Sequence, residues 1–148
     1  MSKPASGLLT GITDLLRPRR RKQDELIRVV NLTRQTEIGA RIAVADRGPR
    51  RRKGLLGRTG LEEGEGLWIV PCEAVHTFGM RFAIDLVYLD RGRRVLKVRH
   101  GVVPSRISGC FRAHSILELR PGTIAATSTE PGDQMQFHSE PSTDTAAA

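Results

Sequence analysis

The sequence predicts a mainly β domain, a compact antiparallel β-sandwich or barrel carrying one or two short helices. Three observations lead there: runs rich in β-branched residues recur at close spacing, Gly and Pro turn signals separate them, and helix signals in the folded part are confined to short stretches. The apolar fraction of 39% suffices for a single core once the two ends are set aside, and 148 residues correspond to one domain.

Each element follows from a local pattern. Leu26 to Leu32 carries β-branched residues, and Ile38, Ala40, Ile42 and Val44 alternate, so these runs predict a strand pair joined around Gln35 and Thr36. Asp46 to Pro49 breaks the alternation. Pro49 suits the first turn of a helix, which Gly54-Leu55-Leu56-Gly57 would close, with Leu55, Leu56 and Leu61 as its apolar contacts. Leu67 to Val70, with the single Trp, is a short strand. Phe82 to Leu89 is the clearest strand; Arg91-Gly92 turns it and Val95 to Val98 returns antiparallel. Ser115 to Leu119 is another strand ended by Pro121-Gly122, Thr123 to Thr127 is a helical turn, and Met135 and Phe137 alternate in a closing strand.

The ends read differently. Residues 1–25 form a basic amphipathic arm: Leu8, Leu9, Ile12, Leu15 and Leu16 share one helical stripe, Pro18 stops it, and Arg17 to Lys22 follows. That layout suits a peripheral membrane anchor, in which apolar burial adds to attraction for anionic headgroups. Residues 26–138 form the β-rich domain, and 139–148, rich in Ser, Thr, Pro and Ala, a disordered tail.

The net charge of +8 is concentrated. Residues 17–58 hold 14 Lys and Arg against 4 Asp and Glu, whereas the remainder is slightly acidic. The runs Arg17 to Lys22 and Arg50-Arg51-Arg52-Lys53 would attract an anionic ligand, a membrane surface or an acidic protein. At the start of a helix, Arg50 to Lys53 would also have the helix dipole in favour of an anion. A single-stranded nucleic-acid platform needs aromatics among the charges, and 17–58 contains none, so sequence-specific nucleic-acid binding is not expected. Two cysteines, Cys72 and Cys110, make no disulfide framework and no CxxC pattern, and no secretory signal or spanning run is present. A cytoplasmic chain with peripheral membrane contact through its arm is the expectation.

Chemistry concentrates in Pro71 to Met80, where a thiol, an imidazole and a thioether fall within nine residues. Cys72, His76 and Met80 make a donor set suited to Cu(I), with Zn as the second candidate ion. Donors to one ion lie about 3–4 Å apart, while four residues span about 13 Å on a strand and about 6 Å on a helix. The three therefore meet only in a loop that folds back, which Pro71 and Gly79 permit. A helical turn would instead place Cys72 beside His76 as nucleophile and base, with Glu73 or Asp85 orienting the imidazole. Asp85 interrupts the apolar row Ala83, Val87, Leu89, and a buried carboxylate must be paired; Arg81, Arg106 and His76 are its candidate partners.

Five blocks in one order, Lys53 to Arg58, Cys72 with His76 to Met80, Ile84-Asp85 with Leu89-Asp90, Leu117-Glu118-Leu119 with Gly122, and Gly132-Asp133, resemble the family called domain of unknown function 192. The likeness covers about residues 37–137. It implies a compact, mainly β fold of sandwich type and carries no established activity. Several members look exported, and this chain departs from them by starting with a basic arm.

The functional expectation is a non-catalytic binding module for a small anionic ligand, a protein partner or a membrane surface, without a required cofactor. Its candidate pocket is Cys72, His76, Met80, Asp85 and Arg106, with Arg50, Arg51, Arg52 and Lys53 binding the anion. The alternatives are a soft-metal protein using Cys72, His76 and Met80, and a cysteine hydrolase using Cys72 and His76.

Overall fold

A computed structural model describes residues 25–139; the amphipathic stripe, the first basic run and residues 140–148 of the expected tail lie outside the described residues, while Ser139 ends the last strand. Nine strands and two short helices occur within that span, in the order β1 (Leu26–Asn31), β2 (Thr36–Ala45), α1 (Gly48–Lys53), β3 (Glu65–Ile69), β4 (Ala74–His76), β5 (Ile84–Leu89), β6 (Val95–Val102), β7 (Ile107–Gly109), β8 (Ser115–Leu119), α2 (Thr123–Thr127) and β9 (Met135–Ser139). Seven strands form one curled, half-barrel sheet in the order β6-β5-β8-β3-β2-β1-β9, and β4 and β7 pair separately. The mainly β class with two short helices holds. Two strands, β4 and β7, escape a reading of alternation because three residues are too few to show a period.

The sheet departs from an all-antiparallel plan at one place. β2 and β3 are parallel, with Arg41 opposite Glu65 and Ala45 opposite Ile69. Parallel neighbours cannot be joined by a tight turn, and the crossover between them contains α1. Gly66 on β3 permits close approach to β8: a Cβ there would lie 2.7 Å from the carbonyl oxygen of Glu118. The β1–β2 hairpin pairs as expected, but two register shifts disturb it, and Ala40 turns outward although Ile38 and Ile42 are buried.

Both faces of the sheet are covered. One carries a cluster that includes Ile42, Val87, Leu117 and Leu119, with Ile124 of α2 over it. The other carries Leu67, Leu86, Tyr88 and Ile116, covered by Leu55 and Leu61 of the crossover and by Val75 of β4. Tyr88 Oη and Ser108 Oγ, 2.6 Å apart, hydrogen-bond and tie β7 to this second face. In consequence every residue of β5 and of β8 is buried.

Asp85 is answered by backbone and not by the expected side chains. Its Oδ1 accepts the Gly101 N–H at 2.8 Å, and its Oδ2 accepts the N–H groups of Gly122 at 3.1 Å and Ile124 at 2.9 Å. The last two are orphan donors at the amino end of α2, so a strand residue closes a helix terminus. Asp133 is equally well served, by Asn31 Nδ2 at 2.9 Å, Arg34 Nε at 3.1 Å and the Glu130 N–H at 3.0 Å. Burial opposes its ionisation, yet these bonds prevail and hold its carboxyl below the usual range. Among the described residues, no helix is long and apolar enough to cross a membrane.

Replacing Asp85 by Ala leaves three N–H groups without their acceptor. We expect Asp85→Ala to lower stability by about 3 kcal/mol or more in urea unfolding. A loss below about 0.5 kcal/mol, the scale of an ordinary surface change, would show that the carboxylate does not organise α2.

Candidate functional site

One cleft of about 510 Å³ opens on the second face, between α1 with the Gly54–Leu56 segment on one side and Pro71 to His76 on the other. Its cations are Arg51, Arg52 and Lys53; its apolar wall includes Leu55, Ile69, Val75 and Met80; Glu118 of β8 also lines it. The local sequence builds this shape. Pro49 opens α1 and Gly54 ends it with φ of 49°, so the helix is six residues long and the chain turns away at once. Leu55, which follows, is buried on the sheet. Arg51 is fixed at the wall, where its Nη1 donates to the carbonyls of Asp46 at 3.2 Å and Val70 at 3.5 Å. Among the described residues, no carboxylate pairs with Arg51, Arg52 or Lys53.

The basic run differs from expectation in its place on the helix. Arg50 to Lys53 fill the last turn of α1, not its start. The dipole there complements these cations and offers nothing to an anion, so the attraction comes from side-chain charge alone. Arg50 lies outside the lining of the cleft.

Cys72, His76 and Met80 all line the cleft, and each has another engagement. The Cys72 thiol donates to the Ala74 carbonyl at 3.2 Å, His76 packs on Phe78 with ring centroids 5.4 Å apart, and Met80 is buried with the core. The chain from Ala74 to His76 is extended, paired with β7, so the helical turn that would set thiol beside imidazole is not formed. Burial pushes the Cys72 thiol above its ordinary pKa, and the negative charge of Glu118 adds to the effect. A nucleophilic cysteine needs the opposite. Both cysteines are free, and among the described residues no three His, Cys, Asp or Glu side chains cluster in a way that holds a metal ion.

Asp85 and Arg106 are not at this site. Asp85 faces the opposite side of β5 from Leu86, toward α2, because alternation separates the two faces. Arg106 is exposed, its Nη1 donating to the Ser105 carbonyl. Neither lines the cleft.

Glu118 takes the place expected of Asp85. It stands in β8, an interior strand, opposite Leu67 of β3 and Leu86 of β5, and only 3% of it is exposed. Its Oε2 is buried and has no hydrogen-bond partner among the described residues. Gly54 lies over it: a Cβ at that position would sit 3.8 Å from Oε2. Burial pushes the Glu118 pKa up to about 7 from the ordinary 4.5. The signal was in the sequence, since a carboxylate interrupts the apolar run Ser115 to Leu119 as Asp85 does its own. The sequence does not show which of two such carboxylates backbone donors will reach.

The fold agrees with the comparisons. The model of the family domain of unknown function 192, an uncharacterized ACR, matches residues 29–137. The chain belongs to this family. A Novosphingobium aromaticivorans protein of unknown function is similar in structure, with TM-score 0.65 and 21% identity over 75% of this chain and 83% of that one. A Sinorhizobium meliloti protein described as a candidate transcription regulator is similar too, with TM-score 0.68 and 17% identity over 77% of this chain and 93% of that one. At these identities the likeness is one of fold. No curated protein matches the chain.

Two measurements check the electrostatics of the cleft. In the unfolded chain Glu118 ionises near 4.5, and in the folded chain near 7, so the native state holds the extra proton between those values and stability falls as pH rises through that window. The gap amounts to about 3 kcal/mol, absent below pH 4.5 and complete above 7. Glu118→Gln should therefore flatten the pH dependence of urea unfolding between pH 5 and 8; an unchanged slope would refute the burial cost. Cys72 should react with iodoacetamide at pH 7.5 more slowly than free cysteine, and a faster reaction would contradict its raised pKa.

Proposed function

We propose that the chain is a non-catalytic binding module whose cleft takes a small anionic ligand. The reading rests on one observation: three cations, Arg51, Arg52 and Lys53, line an apolar-walled cleft and have no carboxylate partner among the described residues. An anion entering there replaces water around charges that the fold leaves unpaired, and the neighbouring Leu55, Ile69 and Val75 accept an apolar body. Arg51 is already oriented by two backbone carbonyls, so little of its freedom remains to be lost on binding. The extended β4 segment and the burial that raises the Cys72 pKa weigh against a cysteine hydrolase. Copper or zinc would have to compete with the core packing of Met80 and with the Cys72 hydrogen bond to Ala74.

Hexanoate and hexyl phosphate are suitable probes, each joining an anion to a short apolar chain. Titration calorimetry should detect binding to the wild-type protein that weakens with added salt. The double variant Arg52→Ser/Lys53→Ser, which spares the wall-bound Arg51, should lose at least about ten-fold in affinity. Equal affinity in the double variant, or no heat with either probe, would reject the reading.

A further inference from the structure

We infer that the ligand is a zwitterion, with its amino end at Glu118, its anionic end at the Arg51-Arg52-Lys53 rim and an apolar spacer between. The inference deepens the anion-binding reading of the cleft and rests on it. It starts from a contrast among the buried carboxylates of this one protein. Asp85 accepts three backbone N–H groups, and Asp133 is held by Asn31, Arg34 and a backbone N–H. Glu118, buried as deeply, has an oxygen with no partner at all.

Among the described residues, no cation pairs with Glu118. Its strand neighbours are Leu67 and Leu86, and the wall beside it is Leu55, Ile69 and Met80. The ionisable and charged groups facing the cleft are Arg51, Arg52 and Lys53 from α1, and Cys72 and His76 from the opposite side. Burial is the cause of its raised pKa. Lining the same cleft, the carboxyl is poised for a donor that arrives from outside.

An ammonium group is the donor that answers both needs of Glu118, the missing hydrogen bond and the uncompensated charge. The fold has already removed water from the carboxyl, so at this end of the ligand only the amine has to be desolvated. A simple alkylamine would meet three rim cations on its way in. A molecule with an anion at the other end turns that repulsion into attraction, and the apolar wall matches a methylene spacer.

The test compares three probes of equal chain length at pH 7.5 by titration calorimetry: 6-aminohexanoate, hexanoate and hexylamine, with the four- and eight-carbon amino acids as length controls. One of the amino acids should bind at least about ten-fold more tightly than the matching carboxylate, and hexylamine least of all. Glu118→Gln, whose folding the urea series reports, should abolish that preference while keeping hexanoate binding. If hexanoate binds as well as every amino acid, or the preference survives in Glu118→Gln, the zwitterion inference fails while the anion reading stands. If no probe binds, both fail together.

Discussion

The complete burial of β5 and β8 is the constraint on which the remaining structure depends. These strands occupy neighbouring places inside the seven-stranded sheet, and side chains cover them on both faces. A polar group placed on either strand has no access to bulk water and must find a partner from whatever lies across that face. Asp85 meets this condition because the start of α2 and the Gly101 segment present backbone donors to it. Glu118 projects to the other face, where the covering layer is the crossover and the small β4–β7 ladder, and that layer offers mainly apolar side chains.

The same layer creates the cleft. Joining β2 to β3 in parallel requires a crossover, and α1 is part of that connection. Because α1 is only six residues long and ends at Gly54, its cations lie beside the cleft while Leu55 and Leu61 reach the sheet. β4, paired with a β7 strand that is anchored through Tyr88 and Ser108, forms part of the opposite wall. Basic charge, apolar surface and an isolated carboxyl thus come together from three segments, and a single topological requirement, the crossover, brings one of them there.

Much of the fold was legible in local patterns. The β1–β2 hairpin, the β5–β6 pair, β8, α2 and the presence of α1 follow from alternation and from Pro49, Gly54 and Gly122, because each rests on interactions within a few residues. The parallel β2–β3 pair and the β4–β7 ladder were not legible. Both join residues distant in sequence, and a three-residue strand carries no periodic signal. At the site, Cys72, His76, Met80 and, from the basic run, Arg51, Arg52 and Lys53 were singled out by residue type and do line the cleft, yet Arg50, Asp85 and Arg106 do not.

By itself the sequence determined the β class, the family, the short basic helix and the presence of two carboxylates in strands otherwise apolar. These are properties of composition, order and near-neighbour sterics. Only the tertiary structure decided which carboxylate is satisfied and which is left alone above the core. That depends on what packs across each face of the sheet, and segments remote in the chain, α2 for Asp85 and the α1 crossover for Glu118, supply the answer.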